Sequence, residues 1–167
     1  MRPSAKELID GVSWALDNQV APVINDQKAA SSLRSIKGLL NHLSVRVEIE
    51  GQILNDDNAD LRTLLKGIHV ELTGNNEGEW VAFYRRLSET LEKKWRSPGD
   101  FATIASLEEE NIYNRDQVER LIRAVHESPG IDSSRREKIH RLLLDYLDRH
   151  KKREKPLYIP AFIGPPF

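Results

Sequence analysis

The apolar positions of this chain recur at helical spacing along most of its length. Leu33, Ile36, Leu40, Leu43 and Val47 follow one another at steps of three and four, which sets all five on one helix face. Such a repeat is the seam of a bundle helix, whose side chains insert between those of a neighbour. Ala29, Ala30, Ser31, Ser32 and Ser35 precede or flank it and are small enough to let another backbone come close. The same rhythm returns in four further groups. These are Leu61, Leu65, Ile68 and Leu72; Trp80, Tyr84, Leu87 and Leu91; Val118, Leu121, Ile122 and Val125; and Ile139, Leu142, Leu143, Tyr146 and Leu147.

Polar and breaker residues set the expected boundaries. Ser4 with Glu7, and Ser134 with Glu137, read as capping boxes, each serine accepting from a free backbone N–H while the glutamate reaches back. Gly74, Pro98-Gly99 and Pro129-Gly130 read as stops, and Pro22 ends or kinks the first helix, leaving Val23 and Ile24 to pack at the turn. The acidic stretch from Asn55 to Asp60 reads as a helix N-terminus, where carboxylates cap free N–H groups and favour the dipole. Extending the face of Val118 backwards places Asn114 and Asn111 on the apolar seam. Two polar seam residues are costly unless paired, so a break is expected there, with Asn114 capping a new helix ahead of Gln117. Val45 to Glu50 alternates like a strand, but it continues the seam of Leu33 and reads as helix.

The prediction is an all-α bundle of six or seven helices near residues 4–20, 27–53, 58–73, 78–96, 101–112, 115–127 and 134–153. Short connections imply that successive helices pack antiparallel. The bundle forms one domain over residues 1–155, and an extended proline-rich arm follows over 156–167.

Composition narrows the chemistry. A chain of 167 residues can close a core without staples, and the absence of cysteine removes disulfides, thiolate metal sites and a cysteine nucleophile. The net charge of -1 argues against a general nucleic-acid binder. Between Asp132 and Lys155 nine Lys/Arg face five Asp/Glu, but no aromatic residue interleaves with the bases from Arg149 to Arg153. That stretch reads as a solvated helix with Arg149, Lys151, Lys152 and Arg153 favoured near its C-terminal end. No run of 18 apolar residues occurs and the start lacks an apolar signal core, so a cytoplasmic protein without membrane association is expected.

Candidate metal sites fail on pattern. A calcium loop starting at Asp56 requires glycine and glutamate where the chain has Leu61 and Gly67. Glu137 and His140 have the spacing of a di-iron helix, but a single copy cannot assemble that site. No metal or cofactor is therefore expected. His42 and His69 lie beside apolar stripes and would serve as general bases only if a pocket opened between helices.

The last twelve residues hold four of the eight prolines and two of the four phenylalanines. Proline resists helix while the apolar side chains resist solvation, so Tyr158, Ile159, Phe162, Ile163 and Phe167 are expected to anchor a partner surface.

Arg2-Pro3-Ser4-Ala5, Glu7-Leu8-Ile9 and the later Val20-Ala21-Pro22-Val23-Ile24 carry a family resemblance. This pattern resembles the opening of small helical bacterial proteins of unknown function. Genes for that family lie beside aminoglycoside-phosphotransferase-like kinases and acyl-CoA dehydrogenases. Leu33 to Val47 can be laid on the family's second helix, whereas the acidic Asn55–Asp60 stretch and the tail have no counterpart. The resemblance implies an accessory component of acyl-CoA or kinase-related metabolism and carries over no catalytic residue. The leading expectation is a non-catalytic protein that forms a homo-oligomer, simplest as a dimer, or docks such a kinase or dehydrogenase. The alternative is an enzyme or small-ligand binder with its site between helices.

Overall fold

The structure is a computed structural model that describes residues 2–74, 78–97, 99–127 and 131–162. Among the described residues it is all-α, with no strand. Five α-helices follow in order: α1 (Ala5–Ala15), α2 (Gln27–Glu71), α3 (Glu79–Glu92), α4 (Ile104–Glu127) and α5 (Ser133–Phe162). A π turn, Leu16–Val20, and a 3-10 turn, Ala21–Val23, lead out of α1.

The expected six or seven helices are five because two predicted breaks do not occur. Residues 27–53 and 58–73 form the single helix α2, and 101–112 with 115–127 form α4. In α2 the polar residues mistaken for caps are held inside the helix by partners from elsewhere in the chain, whereas Asn114 of α4 is buried inside the helix without one among the described residues. The tail also differs. Pro156 to Phe162 continue α5, where an extended arm was expected. Each proline removes one backbone donor, but the preceding turns of α5 already fix the helical dihedrals, and helix propensity is a weak constraint against an established helix.

The caps explain where most helices begin. Ser4 Oγ accepts from Glu7 N at 3.2 Å while Glu7 Oε2 accepts from Ser4 N at 2.7 Å, the expected reciprocal box. The Ser4 backbone N–H holds the Glu7 carboxyl below its ordinary value. Asp26 caps α2 through Ala29 N at 2.7 Å. Asp132, not Ser134, caps α5, accepting from Arg135 N at 2.9 Å. Pro22 acts as expected on α1, which widens into the π turn before the proline. Ile24 is half-buried there, but Val23 points to solvent. Gly74, just past α2, takes the left-handed conformation with φ +79°, which an L side chain rarely adopts.

The chain divides into two compact units, residues 1–51 with 154–167, and residues 52–153. The second contains the main core. Leu61, Leu64, Leu65, Ile68 and Leu72 of α2 meet Trp80 and Leu87 of α3, Val118, Leu121 and Val125 of α4, and Ile139, Leu143 and Tyr146 of α5. Every apolar face predicted for this part of the chain contributes to it. At Gly67 α5 approaches closely: a Cβ there would stand 3.3 Å from a Leu142 methyl. The first unit is thinner. Of the apolar side chains between residues 2 and 51, only Leu33 is buried.

Candidate functional site

Two features stand out, one buried and one exposed. The buried one lies in the second unit, one layer beyond the apolar core. Stepping back from Leu61 along α2 leads to Asp57 and Asn58, and from Val118 along α4 to Asn114 and Asn111. Stepping forward from Tyr146 along α5 leads to His150 and Arg153. Three apolar seams therefore end in polar residues at the same level, and those residues bond to one another.

Asp57, 2% exposed, is the centre. Its Oδ2 accepts from Asn111 Nδ2 at 2.7 Å and from Arg115 Nη2 at 3.0 Å. Its Oδ1 accepts from Arg153 Nη1 at 2.5 Å, His150 Nδ1 at 3.1 Å and the Tyr146 hydroxyl at 3.2 Å. Asn111 also donates to Asn58 Oδ1 at 2.9 Å, and Asn58 donates to the Leu107 carbonyl at 2.8 Å. One turn on, Asp60 receives Arg149 Nη2 at 2.8 Å and Arg153 Nη2 at 2.7 Å. Glu110, also buried, is paired with Arg62.

Burial by itself would raise the Asp57 carboxyl. The hydrogen bonds from Asn111 and Arg115, with the charges of His150 and Arg115, outweigh it and hold that carboxyl below its ordinary value. Asp60 behaves alike, with burial opposed by Arg149 and Arg153. The Tyr146 hydroxyl is pushed up by burial and then by the Asp57 charge. The result is a charge-assisted lock between α2, α4 and α5 in which the carboxylate oxygens of Asp57 and Asp60 are engaged by the protein's own donors.

The acidic stretch was expected to cap a helix, and this is corrected: it lies inside α2, and Asp57 and Asp60 hold α5. The half-exposed Arg149 and the largely buried Arg153 lie within α5, not at its end, and are the partners of those carboxylates. Asn114 caps nothing. It is 1% exposed, and neither amide atom has a partner among the described residues.

The exposed feature lies in the first unit. α1 runs antiparallel to the start of α2, because Lys6 reaches Ser44 at 3.1 Å and Glu48 at 3.5 Å, while Asp17 pairs with Lys37. On α2 the predicted seam turns about a quarter of a turn away from that contact. On α1, Leu8 and Val12 turn away from their contact in the same sense, by about two fifths of a turn. In an antiparallel pair, offsets of the same sense emerge on one side. Leu8, Val12, Ile36, Leu39, Leu43 and Val47 thus share one face, each 46–65% exposed.

The other sequence candidates do not converge. His42 is half-buried in the first unit. His69 stacks on Tyr84 with ring centroids 4.2 Å apart, and its Nε2 lies 2.8 Å from Ser88 Oγ. Ser88 Oγ also donates to the Tyr84 carbonyl at 3.1 Å. Glu137 accepts from Arg141 at 3.3 Å. Glu137 and His140 line a groove of about 440 Å³ between α4 and α5, floored by Ile122, Val125, Leu143 and Leu147. Of the tail anchors, Tyr158 is exposed and donates to Glu154 at 2.8 Å. The side chains of Ile159 and Phe162, and the whole of Ile163 and Phe167, lie outside the described residues. Among the described residues no helix is long and apolar enough to cross a membrane. No protein-family model, curated protein or solved structure matches this chain.

Proposed function

We propose that the protein is a non-catalytic, cytoplasmic helical interaction protein whose working surface is the apolar face of the first unit. The observation that carries this reading is the seam Leu33–Val47, which has bundle spacing but keeps Ile36, Leu43 and Val47 half exposed. Contiguous apolar faces of this kind mark contact with another protein. The Asp57 lock supports the same reading, because it makes the second unit a rigid carrier. The N-terminal resemblance adds an aminoglycoside-phosphotransferase-like kinase or an acyl-CoA dehydrogenase as the enzyme to which the face docks.

The test compares the natural chain with the double variant Ile36→Glu/Leu43→Glu, by light scattering alone and by titration with the purified neighbouring kinase or dehydrogenase. Association that the variant loses is the expected result. A strictly monomeric chain that binds neither enzyme would remove the proposal. The groove between α4 and α5 favours a second reading, a binder of a small apolar ligand, since its volume lies in the range of ligand sites. Leu147→Trp, at a half-exposed position on that groove, would fill it and abolish such binding while leaving any association through the first unit intact.

A further inference from the structure

Resting on that reading, we infer that the occupant of the first unit's face is a second copy of the same face, so that two α1–α2 pairs close into a four-helix bundle.

Three observations select this occupant. The first is the pattern. A run of apolar residues at alternating steps of three and four is matched by another helix with the same spacing, and the chain itself supplies one in every second copy. The second is area. Six large apolar side chains at about half exposure leave on the order of 500 Å² of apolar surface. A standard specific interface buries about 800 Å² per partner, of which about 65% is apolar in homodimers, again on the order of 500 Å². The third is charge. Residues 1–51 carry six Lys/Arg and six Asp/Glu, so two copies meet without net repulsion. Three ion pairs are closed within that segment, Lys6–Glu48, Lys37–Asp17 and Arg46–Glu50, so the rim makes no demand for a partner of opposite charge.

The experiment uses the full chain, which has no cysteine, so that one introduced thiol can pair only with its mate in another copy. Leu40, half-buried in one copy, is the midpoint of the five seam residues and adjoins Leu39 and Leu43 of the face, so in a dimer closed about the middle of that face it lies beside its own mate. At about 100 μM, well above the micromolar end of the affinity range for such interfaces, scattering should give twice the 19.1 kDa mass. Leu40→Cys should form a covalent dimer on oxidation. Ile36→Glu/Leu43→Glu should halve the mass with helicity unchanged by circular dichroism, while the control Leu144→Glu on α5 should keep the dimer. If the double variant fails to fold, the Leu40→Cys crosslink decides the matter.

A chain with the mass of one copy at every concentration overturns the inference, as does a dimer that forms no Leu40→Cys crosslink. A dimer broken by Leu144→Glu but kept by the double variant overturns it too. A monomer that binds the kinase or dehydrogenase, and loses that binding in the double variant, overturns the second copy as occupant and leaves the interaction reading standing. A monomer that binds neither removes both.

Discussion

Asn111 and Asn114 sit one turn apart on the same face of α4, both buried, and their energetic roles are opposite. Asn111 bridges Asp57 and Asn58, so Asn111→Leu strands the buried Asn58 Oδ1 and takes from Asp57 Oδ2 one of its two donors. A loss of about 2–3 kcal/mol is expected, the penalty for leaving such groups unsatisfied. Asn114 gives nothing of that kind, because its amide has no partner among the described residues. Asn114→Leu should therefore stabilise the chain by about 1 kcal/mol, since an apolar group of similar shape no longer pays for desolvation. Urea midpoints of the two variants check the pair, and a change of the same sign in both would refute the assignment. The sequence carried the signal for this layer. Two asparagines on the seam of α4 demanded partners, and the seam of α2 ran back into Asp57 and Asn58. What was missing was the level at which α5 crosses, because no local pattern shows that His150 and Arg153 lie beside residues some ninety positions earlier.

At the scale of elements, the helices of the second unit were legible and their joints were not. The faces of Leu61–Leu72, Val118–Val125 and Ile139–Tyr146 all enter the core, because burial enforces the helical period. The joints failed because Asp57 and Asn114 are residues that favour caps when local forces decide, and here tertiary partners and packing decided. Gly74 was read correctly, since only a left-handed residue ends α2 there. Gly74→Ala should lower stability by about 1 kcal/mol through the positive φ alone. Nothing lies within 4 Å of the added methyl, so a much larger loss in thermal melting would point to some other cause. The tail was read from proline content, and the rest of α5 overrode that through Phe162.

For the whole molecule, acid is the informative stress. Asp57 and Asp60 keep their charge in the folded state below the ordinary carboxylate value of 3.8. The unfolded chain then binds more protons than the folded one as pH falls through that value. The stability these groups supply is complete above it and is lost on descent towards their lower native values. Unfolding midpoints measured between about pH 6 and pH 3 should fall steeply. In Asp57→Asn the midpoint should start lower, by about 3 kcal/mol for breaking a buried pair, and fall less steeply. Equal slopes in the two proteins would show that the acid sensitivity lies elsewhere.

The lock also sets a clock. Asp57 bonds His150 and Arg153 across 93 and 96 residues of sequence. During synthesis at about 5–20 residues per second, the acid emerges roughly 5–20 s before its counter-charges. Until then, closing α2 against α4 would bury a carboxylate with only part of its partners. Nascent chains ending before residue 150 should therefore lack cooperative unfolding and resist proteolysis poorly. Protection should appear in one step once α5 has cleared the ribosome.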